Sequence, residues 1–434
     1  MSHDGWRAVP VVESCPIPAV FDQLAPCRGV DGERVVGPEQ MADLREYLAR
    51  VPDPRDRRGV RHSAGSLLAL AAAAVLTGAR SFAAIGEWIA DAPQRVLAVL
   101  GARFDSRRNR YLAPEESTVR RLTQQVDGDL LDAAMHGWLA HHTTRLNTGD
   151  LSDGAGEPGG TRPEGIAVDG KALRGTFPRT GGAGVHLLAA ISHTTGDDRT
   201  DGIVLGQRQV EAKTSEIAWF TPMLDQLDLT GKVVTADALH TTRDHARYLV
   251  ERGAHYVFTV KENQHRLYSL LNTLPWHEIP ACITENSDHG RTERRTIQLA
   301  PLDNYLGYPT TDFPHTTHAF LIERYTTHHN TGKHSTHTAL GITSLPTPQT
   351  HPTHIAAYVR NHWHIENRLH WVRDVTYRED HSRVHTGNAP RTMATLRNLA
   401  ISTLRHHGWN NIAKGLRHMA RNPTRPLTLL GIPT

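Results

Sequence analysis

A mixed α/β fold, with an all-helical domain ahead of a sheet-containing core, follows from three observations on the sequence. Apolar residues recur at helical spacing through "PEQMADLREYLARV", "SAGSLLALAAAAVLTG" and "SFAAIGEWIADAPQRVLAVLG". After residue 165 that period gives way to short apolar runs such as "GIAVDG" and "VHLLAAISH", which suit strands. Between the two regions lies "NTGDLSDGAGEPGGTRPEG", whose Gly, Pro, Asp and Thr content reads as a flexible linker. The 434 residues allow two or three domains, and 38% apolar content is enough for a core.

Taken in order, residues 1–37 carry several prolines without periodicity and read as an irregular arm. Residues 38–146 form the helical domain, closed by "ESTVRRLTQQVDGDLLDAAMHGWLAHH" with Ser117 as its expected N-cap. The linker spans 147–165, and the core runs from 166 to 406. "GIAVDG", "VHLLAAISH" and "DGIVLGQRQV" are its first three strands, and "TSEIAWFTPMLDQLD" is an amphipathic helix capped near Thr214 or Ser215. A strand "KVVTAD", a helix "TRDHARYLVERG" and a strand "HYVFTVK" follow. Three strands, a helix, then strand–helix–strand is the order of a ribonuclease H-like α/β core. Residues 262–355 break into short β-like runs and read as a β-rich insertion, after which helices resume at 357–377 and 389–406. Residues 407–434 read as a basic tail.

Net charge is only +3, yet residues 360–434 hold 12 Arg plus Lys against 4 Asp plus Glu. A basic C-terminal quarter suits a polyanionic partner. The three cysteines, Cys15, Cys27 and Cys282, form no CxxC pair, which argues against a disulfide framework and for a reducing compartment. No basic-then-apolar leader is evident, and "LLALAAAAVL" is too short to span a bilayer. The expectation is a soluble cytoplasmic protein with no membrane partner.

Two strand ends in the core carry an acid followed by small or polar residues: "AVDGK" with Asp169 and "TADAL" with Asp237. Two such carboxylates can serve as a general acid and base, or can hold hard cations. A third carboxylate from a following helix favours metal. Glu366 is the candidate, within "NHWHIENRLHW", and shares one helix side with His370 and Asp374 at i+4 and i+8 and with Trp363 three positions before. Trp363 either packs on the core or stacks on a splayed base. Arg360, Arg368 and Arg373 on the same helix can reach phosphates. The 29 histidines raise zinc, but "HTTH", "TTHHN" and "KHSTH" match no zinc motif and read as loop composition. A metal shared by His362, Glu366 and His370 ranks below the carboxylate triad.

These motifs carry a resemblance. The chain resembles the H-repeat-associated family of bacterial insertion-sequence transposases, of the DDE class with a ribonuclease H-like catalytic domain. Its marks, from about residue 45 to about 420, are "VPDPRDRRGVRHSAGSLLAL", "AVDGKALRG", "EAKTSEI", "VVTADALHTTRD", "VFTVKENQ", "HGRTERR" and "RNHWHIENRLHWVRDVTYRED". The resemblance implies that Asp169, Asp237 and Glu366 are the catalytic acids and hold two Mg²⁺ ions, with Mn²⁺ able to substitute. Better-known relatives carry a Tyr-Arg-Glu-Lys signature around the glutamate. This chain has His362 in the arginine position and Arg373 in the lysine position.

The implied partner is double-stranded DNA, at the element's ends and at a target, handled by a homodimer in a synaptic complex associated with the nucleoid. Lys171, Arg174, Lys213, Lys261 and Gln264, beside core elements in the shared motifs, are expected to contact phosphates, with His370 and Trp363 also at the DNA. Arg291, Glu293 and Arg295 in "HGRTERR" are either an ion-paired hairpin or DNA contacts. Alternatives to a transposase are a structure-specific nuclease on the same fold and a catalytically silent DNA-binding protein.

Overall fold

The computed structural model describes residues 42–58, 60–148, 162–178, 184–193, 201–211, 215–288, 290–302 and 313–434. The expected arm, most of the linker, Cys15, Cys27 and Lys213 lie outside them. The described residues group into two compact units, one of 229–362 and one of 42–228 with 363–434.

The second unit opens with helices α1 (Leu44–Leu48), α2 (Ala64–Leu76), α3 (Phe82–Asp91) and α4 (Gln94–Val99). Asp43, Ser63 and Ser81 begin α1, α2 and α3 by accepting hydrogen bonds from backbone N–H groups of the first turn. A two-stranded ribbon, β1 (Phe104–Asp105) and β2 (Arg110–Tyr111), interrupts the expected run of helices. Helix α5 (Glu116–Gln125) starts behind Glu115, which places Ser117 inside the first turn rather than at the cap. Helix α6 is Gly128–Thr148. All but one residue of α2 is buried, which explains why "LLALAAAAVL" has no polar stripe.

Strands β3 (Gly165–Ala172), β4 (His186–His193) and β5 (Val204–Val210) then pair antiparallel in the order β5–β4–β3. Helix α7 is Glu216–Leu224, with Ser215 in the cap position.

The other unit holds β6 (Val233–Ala236), α8 (Arg243–Glu251) and β7 (His255–Val260), a strand–helix–strand in which β6 and β7 are parallel. After α9 (His265–Asn272) come β8 (Ala281–Asp288), β9 (Arg291–Pro301), β10 (His318–His328) and β11 (His334–Thr343). The strand order is β6–β7–β11–β10–β9–β8. Because Leu340 of β11 pairs with Val260 of β7, the β-rich insertion widens the same sheet instead of standing apart from it. Helix α10 (Pro352–His362) covers that sheet, with Ile355 and Tyr358 packed on Val257, Cys282, Ile297 and Phe320.

Returning to the first-described unit, the chain forms two π-helical segments, Ile365–His370 and Val372–Thr376, where an ordinary α-helix was expected. Helices α11 (Ala389–His406), α12 (Ile412–Ala420) and α13 (Arg425–Leu429) follow, and every residue of α11 is buried. Leu416, Met419, Leu427, Leu430 and Ile432 join the core that contains α2. The reading of 407–434 as a basic tail is therefore corrected: its few apolar residues are spaced to return to the core, although the cations dominate its composition. The same core takes in Ala167, Ala189 and Val204 of the strands, so the N-terminal helices pack on β3, β4 and β5. Among the described residues, no helix is long and apolar enough to cross a membrane.

Candidate active site

Alternation along β3 turns Asp169 and Lys171 to one face and Gly170 to the other. Gly170 leaves room for the Glu216 carboxylate from α7, which lies against the strand. A Cβ at 170 would stand 2.3 Å from a Glu216 oxygen. Glu216 is in turn 2.8 Å from His186 Nε2 on β4. The glycine of "AVDGK" thus anchors one face of β3 while Asp169 occupies the other.

Opposite Asp169 lies the π-helical segment. Insertions of this kind recur at functional sites because they re-aim side chains within a helix. Here His370 Nδ1 donates to Glu366 Oε2 at 3.1 Å and lies 3.6 Å from Asp169 Oδ2. The side chains of Asp169 and Glu366 are 31% and 52% exposed, whereas that of His370 is 3% exposed. Two carboxylates therefore open to solvent over a buried imidazole. The His370 hydrogen bond outweighs burial and, with the charges of His370 and Lys171, holds the Glu366 carboxyl below its ordinary value.

One ligand atom from each of Asp169, Glu366 and His370 lies within 4.8 Å of the others, the one such group among the described residues. Two carboxylate oxygens, with open positions for water or substrate oxygens, form a donor set that fits a divalent cation, and His370 Nδ1 can join it only by giving up the proton it donates to Glu366.

Ion pairs fix the surrounding elements. Lys171 Nζ lies 2.5 Å from Asp374 Oδ2 and 4.0 Å from Asp380, and its side chain is 10% exposed. Burial raises the Asp374 carboxyl, and Lys171 opposes that rise. Arg174 lies 3.6 Å from Asp380 but is 81% exposed. Asp201 is buried against His364 and Arg368, at 3.0 and 3.2 Å, and these two residues flank Glu366 in the chain. Glu379 accepts from Arg373 Nε at 2.8 Å and from an Arg397 guanidinium nitrogen at 2.6 Å.

Several expected DNA contacts are corrected by this packing. Arg373 is fully buried on Glu379, and a cation so placed has no path to a phosphate. His370 faces the two acids from the interior. The Lys171 ammonium is held by Asp374, and Arg368 by Asp201. Trp363 is 61% exposed, so the core-packing reading fails for it. Lys261 is exposed and Gln264 half-buried in the turn after β7. Arg360 is exposed on the last turn of α10. Arg291 lies 3.2 Å from Glu293, so "HGRTERR" is ion-paired.

Asp169 and Glu366 are brought together, in one group with His370. Asp237 belongs to the other unit, at the end of β6, where its Oδ1 accepts from the Leu239 N–H at 3.0 Å. The partners of Lys171, Arg373 and Arg368 escaped sequence reasoning. Asp374 on the helix and Glu379 just after it are plain as acids in the sequence, but nothing in their spacing says which cation each one takes.

The chain is similar to known proteins over most of its length. The profile described as "Transposase DDE domain" matches residues 160–403, more than half of the chain. A second, described as "DDE_Tnp_1-associated", matches residues 45–139. A protein of Escherichia coli O157:H7 named as transposase YncI is 27% identical over 83% of this chain and 87% of its own length. In Escherichia coli K12, a protein named as H repeat-associated transposase YhhI is 26% identical over 84% of this chain and 91% of its own. Among solved structures, the piggyBac transposase synaptic complex with hairpin DNA aligns at 10% identity and a TM-score of 0.35, covering 90% of this chain and 78% of that one, too slight a likeness to argue from.

Proposed function

Because the chain belongs to the transposase DDE domain family and is an insertion-sequence transposase acting on DNA, we propose that it carries out metal-dependent strand cleavage and strand transfer at the element's ends. The observation that carries this reading is the meeting of Asp169 and Glu366 over the buried His370 imidazole. A ribonuclease H-like core is the fold we assign, supported by three antiparallel strands in one unit and a parallel strand–helix–strand in the other. Asp237 is proposed as the third acid on the strength of its "VVTADAL" motif.

In this scheme Asp169, Asp237 and Glu366 would hold two Mg²⁺ ions, which Mn²⁺ would be able to replace. When bound, the ions lower the barrier by stabilising charge on the attacking and leaving oxygens. His370 holds the Glu366 carboxylate in place by its 3.1 Å hydrogen bond. Asp201 sets the roll of the glutamate-bearing segment through His364 and Arg368, and the Lys171–Asp374 pair ties that segment to β3.

Water attacks the phosphodiester at the element's end, forming a new P–O bond and releasing the 3′-oxygen, which leaves as a 3′-hydroxyl. That hydroxyl then attacks a phosphodiester of target DNA and displaces its 3′-oxygen. We propose a homodimer as the assembly that joins two ends. A marker flanked by the native DNA on either side of the coding region tests the whole scheme. Excision by wild type but not by Asp169→Asn is expected. Excision by both sinks the assignment, and cleavage without joining makes the chain a nuclease.

A further inference from the structure

The β8–β11 sheet carries a second feature that catalysis does not use. In its antiparallel register Arg324 of β10 stands directly opposite Arg295 of β9 on one side and His337 of β11 on the other. Residues opposite one another point to the same face, so these three cations form a row across three strands. Two positions along, the same face carries Glu293 opposite Thr326, and two further on, Arg291 opposite His328. In the other direction it becomes apolar, with Ile297 and Phe320 roofed by Ile355 and Tyr358 of α10. The face thus passes from a covered apolar half to an open basic half.

Arg360 in the last turn of α10 adds to the basic half, close enough to Arg295 and Glu293 for both to act on its charge. Glu293, in the middle, is buried and paired with Arg291 and Arg295 at 3.2 and 2.5 Å, which sets the two guanidiniums without cancelling the patch. Among the described residues, no acid pairs with Arg324, His337 or Arg360. The opposite face is balanced: Arg294 lies 3.7 Å from Glu285, and Tyr325 donates to Glu323 at 3.1 Å.

Like charges set directly opposite in a sheet destabilise it unless an anion comes between them. We infer that this open half-face is a docking surface for the phosphate backbone of duplex DNA, with Arg324 at its centre and Arg295, His337 and Arg360 around it. The inference rests on the transposase reading and adds the surface that holds the substrate. A row across three strands is roughly 10 Å long, about three times the ~3.4 Å axial rise per phosphate on one DNA strand. The two readings of "HGRTERR" then both hold, because Glu293 pairs with arginines that face a polyanion.

Fluorescence anisotropy with the full chain and a labelled duplex of the flanking DNA, over a KCl series, tests this. Arg324→Ala and Arg360→Ala should each bind more weakly and lower the salt slope by about 1, while Arg324→Lys restores it. Arg294→Ala, on the balanced face, should keep the wild-type slope. A wild-type slope in Arg324→Ala and Arg360→Ala alike overturns the surface while leaving the transposase reading intact. A wild-type protein that binds the duplex with no salt slope overturns that reading itself. Thermal melts identify any variant that fails to fold, and Arg324→Gln then replaces it.

Discussion

Two glutamates thirteen residues apart, Glu366 and Glu379, are treated in opposite ways by the same fold. The Glu379 side chain is 2% exposed and clasped by two arginines, Arg373 and Arg397. Burial alone would raise its carboxyl, but the guanidinium charges and hydrogen bonds prevail and hold it at about 2. Glu366 is half exposed and meets one imidazole and another carboxylate. A carboxylate whose lone pairs are taken by fixed cations is a structural joint, here between the π-helical segment and α11. A carboxylate left with open lone pairs beside another acid is able to take a cation from solution.

The most severe way to break the comparison is Glu379→Gln. It leaves two buried guanidiniums without a counter-charge, a change that typically costs ~3–5 kcal/mol. Glu366→Gln, at an exposed position beside a like charge, should stay within about 0.5 kcal/mol of wild type. Urea unfolding of both variants decides the matter. Equal losses would mean that the two carboxylates are not different in kind.

Acid titration sharpens the same point. A carboxyl held at about 2 rather than its ordinary 4.5 contributes stability that is fully present above pH 4.5 and is lost as pH falls towards 2. The difference corresponds to roughly 3 kcal/mol at 1.36 kcal/mol per unit. Unfolding free energies measured across that window should fall less steeply in Glu379→Gln than in wild type. Parallel profiles would show that the Arg373–Glu379–Arg397 joint does not carry the acid sensitivity.

On the open side of the comparison, His370→Gln keeps a hydrogen-bond donor but removes the imidazole nitrogen. Loss of a group that ligates a cation or orients its carboxylate commonly lowers metal affinity ~10–100-fold. Mn²⁺ binding followed by electron paramagnetic resonance should show a drop of that order, without the unfolding penalty of Glu379→Gln. Unchanged Mn²⁺ affinity would remove His370 from the site.

Legibility in the sequence followed chemistry that repeats locally. The short apolar runs leading to Asp169 and Asp237 give β3 and β6 near their expected places, and "TRDHARYLVERG" gives α8. Asp169 and Glu366 stand out because an acid closing an apolar run and an acid among tryptophans both break the local pattern, although β3 continues to Ala172 and so places Asp169 inside the strand rather than at its end. Pairings over long separations were not legible. Lys171 and Asp374 are 203 residues apart, and only the fold decides that the lysine meets this acid before any phosphate. The two π-helical segments are not legible either, since "IENRLHWVRDVT" has ordinary helical composition. Residues 407–434 were misread because composition counts charges, whereas burial depends on where a few apolar residues fall.

The smallest expected effect compares Lys171 and Arg174, three residues apart and both cationic. Lys171 is 10% exposed with its ammonium on Asp374, so Lys171→Met removes no charge that a phosphate can reach. Arg174 is 81% exposed and only 3.6 Å from Asp380, an exposed pair worth little on its own and readily exchanged for a phosphate. Arg174→Ala should therefore lower the salt slope of DNA binding by about 1, and Lys171→Met should leave it unchanged. Lys171→Met should instead weaken Mn²⁺ binding, because the tie between β3 and the Glu366 segment is cut. A reduced slope in Lys171→Met with Mn²⁺ affinity intact would return that lysine to the DNA, and would mean that even a half-buried ion pair beside this site opens to substrate.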